Sequence, residues 1–162
     1  MRLSGIIVET EAYQGEEDLG CHARAGRTPR TEVMYGRPGH AYIYFTYGMH
    51  WLLNAVTEPE GFPAAVLLRA ITPVEGLEEM VLNRPSLAHT KHWTDGPAKL
   101  TQALNLTGQL NACDLCDPSS ELFIESASRA FRDEELETGP RVGLFSVPEP
   151  WKSVPWRFQV RI

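Results

Sequence analysis

The stretch Ile6-Ile7-Val8-Glu9-Thr10-Glu11-Ala12-Tyr13 decides how this chain is organised. Its apolar first half predicts a strand, which we place at Leu3–Thr10. Side chains alternate across a strand, so Glu9 and Glu11 share one face while Thr10 lies on the other. Acidic residues have low strand propensity. Two of them at a strand end indicate either a solvated sheet edge or a site that uses carboxylates.

The strongest β pattern in the chain is Ala41-Tyr42-Ile43-Tyr44-Phe45-Thr46-Tyr47. A turn at Gly48-Met49 follows it, and two further apolar runs predict an antiparallel meander. The remaining predicted elements are strands at Trp51–Thr57, Ala64–Ile71, Leu122–Ile124, Arg141–Leu144 and Trp156–Val160, helices at Pro73–Leu82 and Gly96–Gly108, and a polar connection at Arg84–Thr94. Together they predict an α+β fold: a single domain with a mixed or antiparallel β-sheet, a protruding β-hairpin and a few packed helices.

Length and charge limit the classes of function. The 162 residues suit one domain, and a net charge of -6 argues against a strongly basic nucleic-acid binder. The long polar segment Gln14–Gly39 nevertheless carries Arg24, Arg27, Arg30 and Arg37. No apolar run approaches the roughly 20 residues of a membrane helix, so we expect no membrane association. Three cysteines fit a reducing compartment, so we expect a cytoplasmic protein.

Several side chains are unusual for their predicted positions. Asn54 and Arg69 lie within apolar strands, where a buried polar group needs a partner, and Glu9 and Glu11 are the obvious partners for Arg69. The alternative for both is a structural polar pair. Tyr47 at the hairpin tip either folds back over the strand ends or acts as a wedge between base steps.

Metal and cofactor signatures are weak. Cys113-Asp114-Leu115-Cys116 supplies only two zinc ligands, and Cys21 beside His22 lies about ninety residues away. We therefore expect free thiols and no metal. The chain has no GxGxxG and no P-loop, so no nucleotide cofactor is expected. We expect His40, His50, His89 and His92 to be surface or structural residues.

Taken together, several blocks resemble the alkyladenine DNA glycosylases, also called 3-methyladenine DNA glycosylases, of the mammalian-type fold. The resemblance covers essentially the whole chain. The blocks are Val8–Tyr13, His22–Arg30, Pro38–Tyr44, Tyr47–Met49 with Asn54, Val66–Ala70, Gly96–Leu100, Arg141–Gly143 and Pro155–Phe158.

This resemblance implies a monofunctional base-excision repair enzyme acting on damaged double-stranded DNA. It would flip 3-methyladenine, with hypoxanthine or ethenoadenine as further candidates, out of the duplex and hydrolyse the N-glycosidic bond without a lyase step. Glu11 would activate the water, and Arg69 would hold both. The other implied roles are a base pocket of Tyr13, His22, Tyr44 and Asn54, intercalation by Tyr47, and DNA backbone contacts from Arg24, Arg27, Arg30 and Arg37. Asn54 would exclude the 2-amino group of guanine, and His22 is a candidate acid for neutral leaving bases.

Further expectations follow from the resemblance. We expect one glycosylase domain over residues 1–162 that lacks the usual N-terminal helix, and a monomer. In a bacterium it would be associated with the nucleoid, and in a eukaryote it would be nuclear. Two alternatives stay open: a non-catalytic lesion-binding module or inactive truncated remnant, and a sugar glycosidase that uses Glu9 and Glu11.

Overall fold

The computed structural model describes residues 2–84, 93–127 and 130–160. The elements are strands β1 (Ser4–Gln14), β2 (Ala41–Thr46), β3 (His50–Val56), β4 (Ala64–Glu75), β5 (Leu136–Gly139) and β6 (Arg157–Val160), and helices α1 (Leu77–Asn83) and α2 (Pro97–Ala103). The strands form one six-stranded sheet in the order β2-β3-β4-β1-β6-β5. Each neighbouring pair is antiparallel, which confirms the predicted α+β class and shows that the sheet is antiparallel rather than mixed.

The β2–β3 hairpin forms where the sequence predicts it. Tyr47 and Gly48 both have positive φ, +52° and +68°, as a tight hairpin turn requires at its two central residues. Phe45, Tyr47 and Met49 are all exposed, so the tip extends beyond the core. The hairpin therefore presents large apolar side chains to the outside.

The sheet separates two hydrophobic clusters, and the alternation of β2 assigns its residues to them. Ala41 and Ile43 face the first cluster, which also contains Leu53, Leu68 and Leu100 of α2. Tyr42 faces the second cluster, together with residues of the 15–40 segment: Cys21, Ala23, Met34 and Tyr35. That long polar segment is thus an ordered cover for one face of the sheet, and it contains two short 3₁₀ helices, His22–Ala25 and Glu32–Tyr35.

Several predicted boundaries are wrong. The first strand continues to Gln14, because β4 pairs with it as far as Ala64. Pro73 does not begin a helix: it lies in β4, and α1 begins after Gly76, whose φ of +73° ends the strand. The structure has no strand at Leu122–Ile124 or at Arg141–Leu144, where the chain turns. β5 was not predicted, since Leu136-Glu137-Thr138-Gly139 has only one apolar side chain and pairs only with β6.

Part of the predicted polar connection Arg84–Thr94 lies outside the described residues, as do His89 and His92. Among the residues that are described, no helix has both the length and the apolar character needed to cross a bilayer.

Candidate active site

A cavity of about 380 Å³ opens between the sheet and the segment that covers its second face. Four strands, the 15–40 segment and the turn after β5 all contribute to its wall. Among the residues that line it are Glu11, Tyr13, Cys21, His22, Tyr42, Tyr44, Tyr47, Asn54, Arg69 and Val142. Its volume is in the range of about 300–1,000 Å³ that is typical of small-molecule sites.

Glu11 is the acidic residue that lines this cavity, and its residue surface is 0% exposed. Its carboxylate accepts hydrogen bonds from the Val142 N–H, at 2.6 Å to Oε1, and from the Tyr13 hydroxyl, at 2.7 Å to Oε2. Arg69 Nε lies 3.4 Å from Oε1. A buried carboxylate needs such partners, and these three fix it in one orientation.

Arg69 bridges the two predicted carboxylates. Its Nε donates to Glu9 Oε1 at 2.8 Å as well as approaching Glu11. The β1–β4 pairing is irregular at this point: Ile7 pairs with Ile71 and Glu9 with Ala70, so the register leaves out Val8 and, on β4, Arg69. Irregular pairing of this kind re-aims side chains next to functional sites. The shared face predicted for Glu9 and Glu11 is what lets one guanidinium reach both.

Aromatic rings form another part of the cavity wall. His22 packs edge-on against Tyr44 with ring centroids 4.5 Å apart, and the Tyr42 and Tyr44 centroids lie 5.3 Å apart. The His22 Nδ1 and the Tyr42 hydroxyl are 3.0 Å apart. Burial, then the charges of Arg30 and Arg24, lower the pKa of His22 to about 4. His22 is therefore neutral at neutral pH.

The pKa values of the tyrosine hydroxyls in this wall are also shifted. Burial and then the neighbouring Glu11 carboxylate raise the pKa of Tyr13 well above its ordinary value. Burial is likewise the main cause that raises the pKa of Tyr44, and it raises that of Tyr42 to about 12. The three tyrosines are neutral hydrogen-bonding rings at any physiological pH.

Asn54 and Tyr47 lie at different depths. Asn54 is buried, lines the cavity, and donates from Nδ2 to the Tyr42 carbonyl at 3.0 Å across the β2–β3 pair. Tyr47 is 87% exposed at the hairpin tip, yet it also lines the cavity. If β2 continued through Tyr47, its side chain would point away from the face of Tyr42 and Tyr44. Tyr47 instead lies in the turn, where the alternation of a strand no longer applies.

The four arginines of the 15–40 segment differ in their contacts. Arg27 forms a bidentate pair with Glu32, and Arg24 donates to the Leu19 carbonyl. Arg30 lies over the Tyr44 ring, 5.2 Å from its centroid. Arg37 is highly exposed and meets Glu60 only at 4.0 Å.

The sequence analysis missed three contributors to the site. Tyr42 was not assigned to the pocket. Val142 and the buried pair of Asp18 and Arg141 were not assigned to it either. Arg141 donates to both Asp18 oxygens, at 2.5 and 2.8 Å. The resemblance at Arg141-Val142-Gly143 was the available signal, but those residues were interpreted as a strand.

Within the described ranges, no group of three or more His, Cys, Asp and Glu side chains could hold a metal ion. Cys21, Cys113 and Cys116 are free cysteines. Burial raises the pKa of the Cys21 thiol to about 11, so this cysteine is a poor nucleophile at neutral pH.

Comparison with known proteins shows which family the chain resembles. The model of a protein family described as "Methylpurine-DNA glycosylase" matches residues 1–162. Among curated relatives, a protein of Methanocella arvoryzae is 46% identical over 97% of this chain and 76% of its own length. One of Desulfitobacterium hafniense is 44% identical over 97% of this chain and 79% of its own length, and one of Burkholderia orbicola is 41% identical over 97% and 73%.

All three relatives are named "Putative 3-methyladenine DNA glycosylase". The family match covers every block on which the sequence resemblance depends, from Val8 to Phe158. Both the resemblance and the expected enzyme class, a DNA glycosylase, are thereby confirmed, and the chain belongs to the methylpurine-DNA glycosylase family.

Proposed function

We propose that this protein is a base-excision repair glycosylase that flips 3-methyladenine out of duplex DNA into the cavity and hydrolyses its N-glycosidic bond. The observation that carries the proposal is the cavity itself: one buried carboxylate, Glu11, faces a wall of aromatic rings in a space open to the hairpin tip. A base inside a duplex is out of reach, so extrusion is necessary, at a cost of a few kcal/mol.

Tyr47 offsets part of that cost by filling the gap that the base leaves. A large apolar side chain at an exposed tip is otherwise unfavourable, and wedges of this kind are typical of proteins that enter the minor groove. The hairpin extends Tyr47 beyond the core, and the turn orients its side chain toward the cavity mouth. Arg24, Arg27, Arg30 and Arg37 are proposed to contact the DNA backbone, with Arg37 the least committed to protein partners.

The aromatic wall favours an alkylated purine. Alkylation at a ring nitrogen makes the base cationic, and electron-rich rings attract cations. Tyr13, Tyr44 and the neutral ring of His22 form this wall, and none of them carries a positive charge at neutral pH. Asn54 at the buried end would meet a 2-amino group and so exclude guanine.

Glu11 is the group proposed to activate the attacking water. Departure of the base leaves an oxocarbenium-like sugar, which a carboxylate stabilises while it polarises the attacking water. Arg69 holds Glu11 and helps to hold that water. This route needs no lysine nucleophile, so no lyase step follows.

A pKa of about 4 makes His22 a poor acid at neutral pH. A cationic leaving base needs no proton, whereas hypoxanthine and ethenoadenine are neutral. We therefore propose 3-methyladenine as the main substrate and the neutral bases as slower ones. This reasoning argues against His22 as the acid for neutral bases.

The test is release of free 3-methyladenine from alkylated duplex DNA by the parent protein, by Glu11→Gln and by the control Glu17→Gln. Glu17 is exposed and does not line the cavity. We expect release by the parent and the control, and a loss of about 10²–10⁴-fold in Glu11→Gln, the range for a general base. No release by the parent, or equal release by Glu11→Gln, would count against the proposal. Binding of a lesion duplex without release would favour a non-catalytic lesion-binding module.

A further inference from the structure

A fully buried ion pair lies just behind the cavity wall. Arg141 and Asp18 form a bidentate pair, and the side chains of both are 0% exposed. Neither residue lines the cavity. A buried ion pair is weak evidence for stability, because the cost of removing two charges from water often equals what their attraction returns. Its position beside the cavity therefore favours a role other than stability.

Arg141 joins the end of β1 and the 15–40 segment to the C-terminal part of the chain. Besides Asp18, it donates to the Ala12 carbonyl at 3.1 Å and to the Trp151 carbonyl at 3.2 Å. Its guanidinium carbon lies 4.5 Å from the centroid of the Tyr13 ring. Its Nε is buried without a hydrogen-bond partner. The contacts thus fix the side chain against the end of β1, where Glu11 and Tyr13 lie.

The residue after Arg141 makes the shortest hydrogen bond to the catalytic carboxylate. The Val142 N–H donates to Glu11 Oε1 at 2.6 Å. No strand pairing holds this turn: β5 ends at Gly139, and the Val142 side chain is 44% exposed. The anchored side chain of Arg141 is what places the Val142 N–H within reach of Glu11.

We infer that Asp18 and Arg141 are positioning residues, whose buried pair holds the 140–143 turn so that the Val142 N–H orients the Glu11 carboxylate. This role rests on the proposed function, and both residues act on the reaction only through Glu11. Without the Asp18 charge, the Arg141 guanidinium loses its bidentate partner, the turn loosens and Glu11 is held by fewer donors. The hairpin tip is untouched, so DNA binding is retained.

The experiment compares Asp18→Asn with the parent under single-turnover conditions, together with the affinity for a duplex that contains an abasic site. We expect the rate of base release to fall about 10–100-fold, the scale of a catalytic group displaced by roughly 1 Å. We expect the affinity to stay within about twofold. The matched control is Glu32→Gln, which breaks the exposed bidentate pair with Arg27 on the same segment and should leave the rate unchanged. An unchanged rate in Asp18→Asn, or equal losses of rate and affinity, would overturn the inference.

A second readout does not depend on activity. The Val142 amide proton should exchange slowly with solvent in the parent and markedly faster in Asp18→Asn, as measured by NMR hydrogen exchange. Equal protection in the two proteins would refute the positioning role even if the parent released no base. If Asp18→Asn does not fold, Val142→Pro removes the N–H while leaving the ion pair in place, and it should slow base release by a similar factor. Full activity in Val142→Pro would refute the link to Glu11.

Discussion

Replacing Asn54 by serine should relax the exclusion of guanine-type bases. Asn54 is buried at the cavity wall, and its Nδ2 donates to the Tyr42 carbonyl at 3.0 Å. That bond prevents the amide from swinging aside for an incoming 2-amino group. Serine is shorter and cannot reach the same carbonyl, so space opens where the amide lay.

The size of the effect follows from these contacts. A small steric change in a pocket is worth about 1–3 kcal/mol, or roughly 10–200-fold in discrimination. We therefore expect the rate ratio of 7-methylguanine to 3-methyladenine release to rise by at least about tenfold in Asn54→Ser. Losing this side-chain hydrogen bond costs about 0.5–1.5 kcal/mol in the free energy of unfolding.

A matched control separates selectivity from stability. Asn111 accepts a hydrogen bond from the Ile43 N–H at 2.8 Å, so it also supports β2, but it does not line the cavity. Asn111→Ser should lower stability by a similar amount and leave the rate ratio unchanged. The assay is single-turnover release from two duplexes with one defined lesion each, alongside chemical denaturation. An unchanged ratio in Asn54→Ser, or the same change in both variants, would remove Asn54 from the selectivity mechanism.

Four further predictions concern the tip, the histidine and the arginines. Tyr47→Ala should weaken binding to a lesion duplex by about 1–3 kcal/mol, as for loss of a stacking contact. The control Leu82→Ala changes another highly exposed apolar residue and should not weaken binding. Equal affinities of the two variants in a titration would refute the role of Tyr47 as a wedge. Arg30→Gln should raise the pKa of His22 from about 4, but not to 6.5, because burial is the larger cause; an NMR titration without a shift would contradict this. Because the pKa of His22 is lowered in the folded state, the unfolded chain binds the proton first as the pH falls. His22 should therefore lower the free energy of unfolding by up to about 3 kcal/mol between pH 6.5 and pH 4. Unfolding measured over this pH range should lack this component in His22→Gln. Arg37→Gln should reduce the salt dependence of DNA binding by about one phosphate contact. Arg27→Gln should reduce it by less, because Glu32 already neutralises Arg27. Equal slopes of log affinity against log salt concentration in the two variants would contradict this ranking.

Local patterns predicted the centre of the sheet correctly. The alternation from Ala41 to Thr46 is unambiguous, and it places Tyr42 and Tyr44 on one face and Ile43 on the other, as the two clusters show. The need for a partner to a buried guanidinium likewise predicted that Arg69 would meet Glu9 and Glu11. Both arguments use only the period of a strand and the cost of burying charge.

Long-range contacts were beyond such arguments. Asp18 and Arg141 are 123 residues apart, and nothing near either one indicates the other. Asp18 lies in a polar segment with many turn residues, where an acid is usually solvated. β5 has one apolar side chain in four and exists because β6 pairs with it. The end of β4 was missed for a similar reason: Pro73 suits a helix start, but β1 pairs with β4 as far as Glu75.

The contacts of Glu9 also decide between two uses of paired carboxylates. A glycosidase of the usual kind needs one carboxyl that gives up a proton while the other stays charged, and each must face the sugar. Here Glu9 does not line the cavity, and its Oε1 lies between two guanidinium groups, at 2.8 Å from Arg69 Nε and 3.5 Å from an Arg157 nitrogen. Glu9 is thus placed as a counter-ion to Arg69 rather than as an acid. With Glu9 in that role, the cavity holds one carboxylate, which suffices for a leaving base that already carries a positive charge and is insufficient for an ordinary glycoside.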